Sequence, residues 1–204
     1  MPSEGGIPGQ TPIDDLSGLR DRSLRTQSQL NEAEAESIRR ALVRHLLGPA
    51  PDPAVDFDVS AMRALHRSMF GRVWEWAGQI RRRELNIGSP PGSIEVDLNA
   101  LAEDLQAWRA GAMPLEEQAA RLHHRAVQIH PFQNGNGRWA RLLANLWLRA
   151  HGAPLVEWPD AAVGAESVVR ADYLRALRAA DLGDLAPLRA MHRAHTPPRT
   201  DRLP

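Results

Sequence analysis

Cysteine is absent from the 204-residue sequence, and so is lysine: all 25 basic residues are arginine. The first absence excludes disulfide frameworks, thiolate nucleophiles and cysteine-based zinc sites. The second excludes a lysine-dependent P-loop and Schiff-base chemistry, so a bound phosphate has to be held by arginine, backbone N–H groups or a metal. Net charge is absent as well, because 25 acidic residues balance the arginines. No global field therefore draws the chain to nucleic acid or to an anionic membrane. No apolar run approaches bilayer length, and Met1 to Gln10 lacks the basic and apolar regions of a secretory leader. The expectation is a cytoplasmic protein with neither nucleic acid nor membrane as a direct partner, folded as one domain with its own core.

Strand signals are scarce too. Apolar and polar residues alternate only around Trp74 to Ile80 and Leu85 to Val96, on either side of Gly88, Pro90, Pro91 and Gly92, which predicts one short β-hairpin. The remaining periodicity is helical. Asn31, with Glu34 three residues on, reads as a capping box for a helix carrying Ile38, Leu42 and Leu46, stopped by Gly48 and the prolines at 49, 51 and 53. Further helices are expected after Asp58, over Leu98 to Trp108, from Leu115 to Ile129, from Arg138 to Ala150 and over roughly Ala165 to Ala180, with a last turn near Leu185 to Met191. The predicted fold class is mainly α: a helical bundle with one hairpin, occupying residues 31–192 between a loosely ordered arm (1–30) and tail (193–204).

Chemistry concentrates in His130-Pro131-Phe132-Gln133-Asn134-Gly135-Asn136-Gly137-Arg138-Trp139-Ala140-Arg141. Pro131 disfavours α at the residue before it, so the preceding helix should end at His130 and leave an imidazole at its C-terminus. Gly135-Asn136-Gly137 tolerates positive φ, which turns successive N–H groups inward as an anion nest. The next helix starts at once, adding free N–H groups and a partial positive charge. Arg138 and Arg141, three apart, share a helix face and can fork onto phosphate oxygens. A base, a nest, a helix dipole and two guanidinium groups thus fall within twelve residues, the set that a polyphosphate donor and a hydroxyl acceptor require. His123, His124 and His130 lack the third ligand and the spacing of a zinc site and read as packing residues. The six tryptophans, without an interleaved basic groove, read as core.

The twelve-residue stretch resembles the Fic family signature, His-x-Phe-x-acid-Gly-Asn-Gly-Arg-x-x-Arg, at every fixed position but Asn134. Trp76-Ala77-Gly78, the His123-His124 helix and Tyr173 to Asp184 resemble Fic features, and the span Asn31 to Met191 is similar to the bacterial family called mobile mystery protein B. The resemblance implies a helical Fic fold and transfer of AMP from ATP to a Ser, Thr or Tyr hydroxyl of a target protein. It implies His130 as the base, Phe132 as the loop's core anchor, and Gly135, Asn136, Gly137, Arg138 and Arg141 as phosphate-binding residues. A flap at Arg83, Glu84, Leu85, Asn86 and Ile87 would align the target by strand pairing. Asn134 stands where the signature has an acid that ligates Mg²⁺; its amide oxygen can join a hydrated ion held by phosphates but brings no charge.

In such proteins an inhibitory glutamate, four residues after Ser or Thr, pairs with the second motif arginine. Ser28 and Glu32 have that spacing, although Ala33 follows where Gly or Asn is usual. Locally, Glu32 also suits the first turn of a helix, where an acid complements the dipole. The resemblance leaves room for a toxin role restrained by a separate antitoxin or regulator. A Doc-like phosphotransferase with the donor reversed is the nearest alternative activity, opposed by Gly137 where that branch carries a bulkier basic residue. A lapsed interaction module is the alternative from another class, opposed by intact His130, Arg138 and Arg141.

Overall fold

The computed structural model describes residues 16, 18–159 and 168–198. Its helices are α1 (Gln27–Leu47), α2 (Val59–Phe70), α3 (Ile94–Ala110), α4 (Leu115–Ile129), α5 (Asn136–Ala150), α6 (Val168–Asp181) and α7 (Ala186–Ala194), with a 3₁₀ turn at Pro91–Ser93. Local chemistry sets their ends. Thr26 caps α1 in a reciprocal box with Gln29, and Asp58 caps α2 by accepting the Ala61 N–H at 2.6 Å. α1 therefore starts before Asn31, because the Thr26–Gln29 box lies upstream of the predicted one. Glu34 is freed from capping and turns inward.

The predicted arm is also shorter than expected. Leu19 is buried and bridges to Trp74, the Arg20 N–H donates to the Val73 carbonyl and the Glu75 N–H donates to Gly18. Residues 18–30 thus belong to the folded unit, and at the other end α7 runs past 192 to Ala194. The outer parts of the predicted arm and tail, 1–15, 17 and 199–204, lie outside the described residues.

α4 and α5 pack most extensively against each other. Around them sit Trp74, Trp139, Trp147, Phe57, Phe70, Phe132, Met62 and Met69, all buried; each such side chain contributes about 1.5–3 kcal/mol by leaving water. Trp147 meets Phe57 edge-on at 4.9 Å and donates Nε1–H to Gln118. Of the six tryptophans read as core, Trp74, Trp139 and Trp147 are fully buried, and Trp76, Trp108 and Trp158 are half-buried at its edge.

The hairpin does not form: among the described residues there is no strand, and 79–90 is an irregular loop. Its main chain pairs with the motif segment instead of with itself. The Arg81 N–H donates to the Pro131 carbonyl at 2.9 Å and the Ser89 N–H to Ile129 at 3.1 Å. Ile94 and Val96, read as strand, belong to α3, where Ile94 is buried on the same side as Leu98, Leu101 and Leu105. Alternation over so few residues does not distinguish a strand from a loop leading into a helix.

Candidate active site

α4 ends at Ile129, as Pro131 demands, and His130 takes the left-handed conformation (φ 51°, ψ 57°). It is the one non-glycine residue with positive φ among those described. A side chain held there costs about 1 kcal/mol or more and marks a site that the surroundings over-determine. The ring is almost wholly buried. Burial, and secondarily the Arg81 charge, lower its pKa from 6.5 to about 4, while the Val127 carbonyl offsets part of the effect. Nδ1 is buried without a hydrogen-bond partner of normal geometry. The imidazole is therefore neutral at physiological pH.

The loop that follows is built from inside. Phe132 stacks on His66 at 3.8 Å and meets Trp139 edge-on at 5.0 Å. Asn136 Oδ1 accepts the Phe132 N–H at 2.9 Å while its Nδ2 donates to the Phe132 carbonyl at 2.8 Å. The Asn136 side chain is thus a brace of the loop, and what it can offer an anion is its main-chain N–H in the first turn of α5. Gly135 caps α5 at φ 78°, and Trp139 N–H donates to its carbonyl. The N–H groups of the first α5 turn have no intrahelical acceptor, which makes this end an anion site. Asn134 Oδ1 accepts the Gly135 N–H at 2.6 Å.

Gly135 is required twice over. A Cβ there would lie 2.5 Å from the Phe70 ring, in addition to the positive φ. Gly135→Ala is expected to destabilise the fold by about 2–4 kcal/mol through left-handed strain and displacement of Phe70; urea denaturation against wild type measures it, and a cost below half a kcal/mol would contradict the packing. At Gly137, by contrast, an added Cβ would meet only the Tyr173 hydroxyl at 3.8 Å, an ordinary contact.

The two arginines diverge. Arg138 lies 4.8 Å from the Phe70 ring centre and pairs with Glu34 at 2.8 Å; the other Glu34 oxygen accepts Trp74 Nε1–H at 2.7 Å. Arg141 is buried against the rings of Tyr173 (5.5 Å) and Trp158 (5.9 Å). Glu32 is exposed on α1. Glu34, two residues on, is the α1 acid that reaches the motif, and it engages the first motif arginine.

Two features were not read from the sequence. His66 is fully buried: the Gly78 N–H donates to its Nδ1 at 3.0 Å, so Nε2 carries the proton and donates to the Asn134 carbonyl at 3.0 Å. Burial lowers its pKa to about 3. Its signal was a polar ring inside the apolar stripe Met62, Leu65, Met69, Phe70. Arg81 is the second; its guanidinium reaches the carbonyls of His130, Arg83 and Ser89. In the flap, Leu85 is half-buried, and Arg83, Glu84, Asn86 and Ile87 are exposed. His123 bonds His192 and Tyr173 at 2.9 Å each, and His124 bonds Asp181. These are packing roles, and no cluster of three His, Asp or Glu suited to a metal occurs among the described residues.

A neutral imidazole thus ends one helix, one tight loop away from the amide-rich, arginine-flanked start of the next. Residues 56–148 match the family model described as Fic/DOC family. It is 36% identical over 138 residues to protein adenylyltransferase fic-1 of Caenorhabditis briggsae, covering 65% of this chain and 26% of that protein. To protein adenylyltransferase Fic of Drosophila sechellia it is 32% identical over 140 residues, covering 65% and 27%. The chain thus spans about a quarter of the length of these curated relatives. Among solved structures, Fic-1 (residues 134–508) from C. elegans superposes with a TM-score of 0.66 at 27% identity, over 86% of this chain and 50% of that one. BepC of Bartonella tribocorum, solved with bound AMPPNP, superposes with a TM-score of 0.70 at 20% identity over 90% and 94%, a likeness of fold.

Proposed function

We propose that this chain transfers AMP from ATP to a Ser, Thr or Tyr hydroxyl of a target protein, with His130 as the general base. The observation that carries the reading is the neutral imidazole at the end of α4, set one loop before the α5 N-terminus. In the reaction His130 takes the proton of the target hydroxyl, whose oxygen attacks the α-phosphorus. The bond from that phosphorus to the oxygen bridging to the β-phosphate breaks, and pyrophosphate leaves. Main-chain N–H groups of Asn136 to Arg138, together with the Arg138 and Arg141 guanidinium groups, stabilise the charge on the phosphates. A triphosphate beside His130 raises its proton affinity from the depressed resting value, because nearby negative charge favours the imidazolium. The adenylyltransferase names of the relatives and the AMPPNP in a structure of the same fold support the donor.

The loop Arg83–Ile87 is where this reading docks the target. No backbone-to-backbone hydrogen bond among the described residues involves 82–88, so this main chain can pair with an extended segment. The donor set does not make a resident metal site: Asn134 Oδ1 is a neutral oxygen already engaged by the Gly135 N–H. Mg²⁺ accordingly enters as part of the Mg·ATP substrate. Asn134→Asp, which adds a carboxylate where the loop geometry accepts an oxygen, is expected to lower the Mg²⁺ needed for half-maximal transfer severalfold; an unchanged or raised requirement would make position 134 a loop brace only.

The decisive experiment incubates the purified chain and a cell lysate with labelled ATP and analyses the products by intact-mass and tandem mass spectrometry. AMP adducts on hydroxyl side chains are expected. Phosphate adducts in their place would make the chain a phosphotransferase, and absence of any transferred group would leave the site without the proposed activity.

A further inference from the structure

The flap and the base belong to different elements, yet one side chain touches the main chain of both. Arg81 is buried, and among the described residues no carboxylate lies in ion-pair range of it. Its guanidinium donates to three carbonyls: Nε–H to His130 at 2.8 Å, Nη1–H to Arg83 at 2.8 Å and Nη2–H to Ser89 at 2.6 Å. The carbonyls come from the strained residue of the motif and from the two ends of the loop that contains 83–87. A planar fork presents its donors in fixed, widely spread directions, whereas the three donors of an ammonium radiate from a single nitrogen.

The surroundings are shaped to the same end. Arg81 N–H and Ser89 N–H pair with the Pro131 and Ile129 carbonyls, bracketing His130 from both sides. Gly88, at φ 101°, lets the loop pass directly over the base: a Cβ there would stand 2.6 Å from His130 Cβ and 2.7 Å from Arg81 Nη2. Between these brackets, residues 82–88 make no main-chain pairs of their own among the described residues. Their position relative to His130 depends on the fork.

We infer that Arg81 is a positioning residue that locks the target-docking loop to the backbone of the base, so that a hydroxyl presented by the loop arrives at His130 in register. The inference rests on the assignment of His130 as base and of 83–87 as docking segment. It requires the two carbonyl ends and the His130 carbonyl to be held as one unit, with His130 kept in its left-handed conformation by the bond to its carbonyl.

The test compares wild type, Arg81→Gln and Arg81→Lys in the full chain, using readouts that need no activity. Trypsin cuts after Arg82 and Arg83, both exposed in the loop, and intact mass locates the cuts. In Arg81→Gln cleavage at these two sites should accelerate about tenfold, as expected for a loop whose local opening has become easier, with no matching acceleration elsewhere. Millimolar guanidinium should slow it again by refilling the fork. At pH 7.5, where the fold is intact, the NMR resonances of the His130 ring should shift in Arg81→Gln, because a neighbouring cation has gone. Arg81→Lys keeps the charge and loses the fork, so its loop should be cut faster while the His130 resonances stay near wild type. Should Arg81→Gln fail to fold, the lysine variant decides by its cleavage rate alone. Equal rates in all variants, or acceleration spread over the whole chain without guanidinium rescue, would overturn the inference. If the chain transfers no AMP, the proposed function falls, whereas the cleavage and resonance results still decide whether Arg81 locks this loop.

Discussion

Alanine at position 130 is expected to lower AMP transfer by ~10²–10⁴-fold while leaving the chain folded and nucleotide binding near wild type. The split follows from where the groups come from. The imidazole ends α4 and acts on the acceptor hydroxyl. On the proposed reading, the phosphates of the donor face the N–H groups at the start of α5 and the Arg138 and Arg141 guanidinium groups, which lie past the loop. The loop itself is held by Phe132, Asn136 and His66, none of which needs the His130 ring as a hydrogen-bond partner. Auto-modification with labelled ATP measures the first quantity, and calorimetric titration with ATP the second. Full activity in His130→Ala would remove the assignment of the base. Loss of ATP binding alongside activity would make His130 a donor ligand.

The fold should lose stability steeply as pH falls below about 6.5. His66, His123, His130 and His192 are all buried, and desolvation is the main reason each pKa is depressed: to about 3 for His66, to about 4 for His130 and His192, and well below 6.5 for His123. In the unfolded chain the same rings protonate near pH 6.5. Between that value and their folded pKa the native state therefore binds fewer protons than the unfolded state, and stability rises with pH. It is fully present above about pH 6.5 and is lost on acidification toward pH 4. Each ring contributes about 1.36 kcal/mol per pH unit once well inside that window, so the four together approach about 5 kcal/mol per unit. Against a typical total of 5–15 kcal/mol, unfolding is expected between roughly pH 5.5 and 4. The chemistry of the contacts agrees with this. Protonating His66 at Nδ1 destroys its acceptance of the Gly78 N–H, and protonating both His123 and His192 leaves their 2.9 Å nitrogen pair without an acceptor. Urea denaturation at pH 7.5, 6.5 and 5.5 tests the slope, and His192→Gln should remove one proton's share of it. A stability flat across that range would mean that these rings are not held neutral in the folded protein.

Much of the candidate site was legible because its determinants are local. Pro131 ends a helix by its own covalent geometry and Gly135 takes positive φ because nothing else fits that backbone as cheaply; both depend on neighbours within a few residues. Asn136 and Gly137, read as loop, already belong to α5, so the helix starts two residues before the expected Arg138 and only Gly135 has positive φ. Helix existence was legible for the same reason: the apolar stripes of α2, α4 and α5 repeat often enough for the period to be read. The absence of lysine and cysteine likewise limited the phosphate ligands and the nucleophiles without any structure.

What the sequence could not decide were the contacts across long separations. Whether Asn31 or Thr26 caps α1 depends on which of two valid boxes the packing selects, and that choice determines that Glu34, rather than Glu32, meets Arg138, 104 residues away. The alternating stretch at 79–90 carried a strand pattern, but its hydrogen-bond partners are Ile129 and Pro131, and only the docking of that loop on the motif segment reveals them. His66 and Arg81 carry no local mark of function. They acquire one because tertiary packing removes water from them, leaving each to satisfy its donors on the very carbonyls that hold the site in shape.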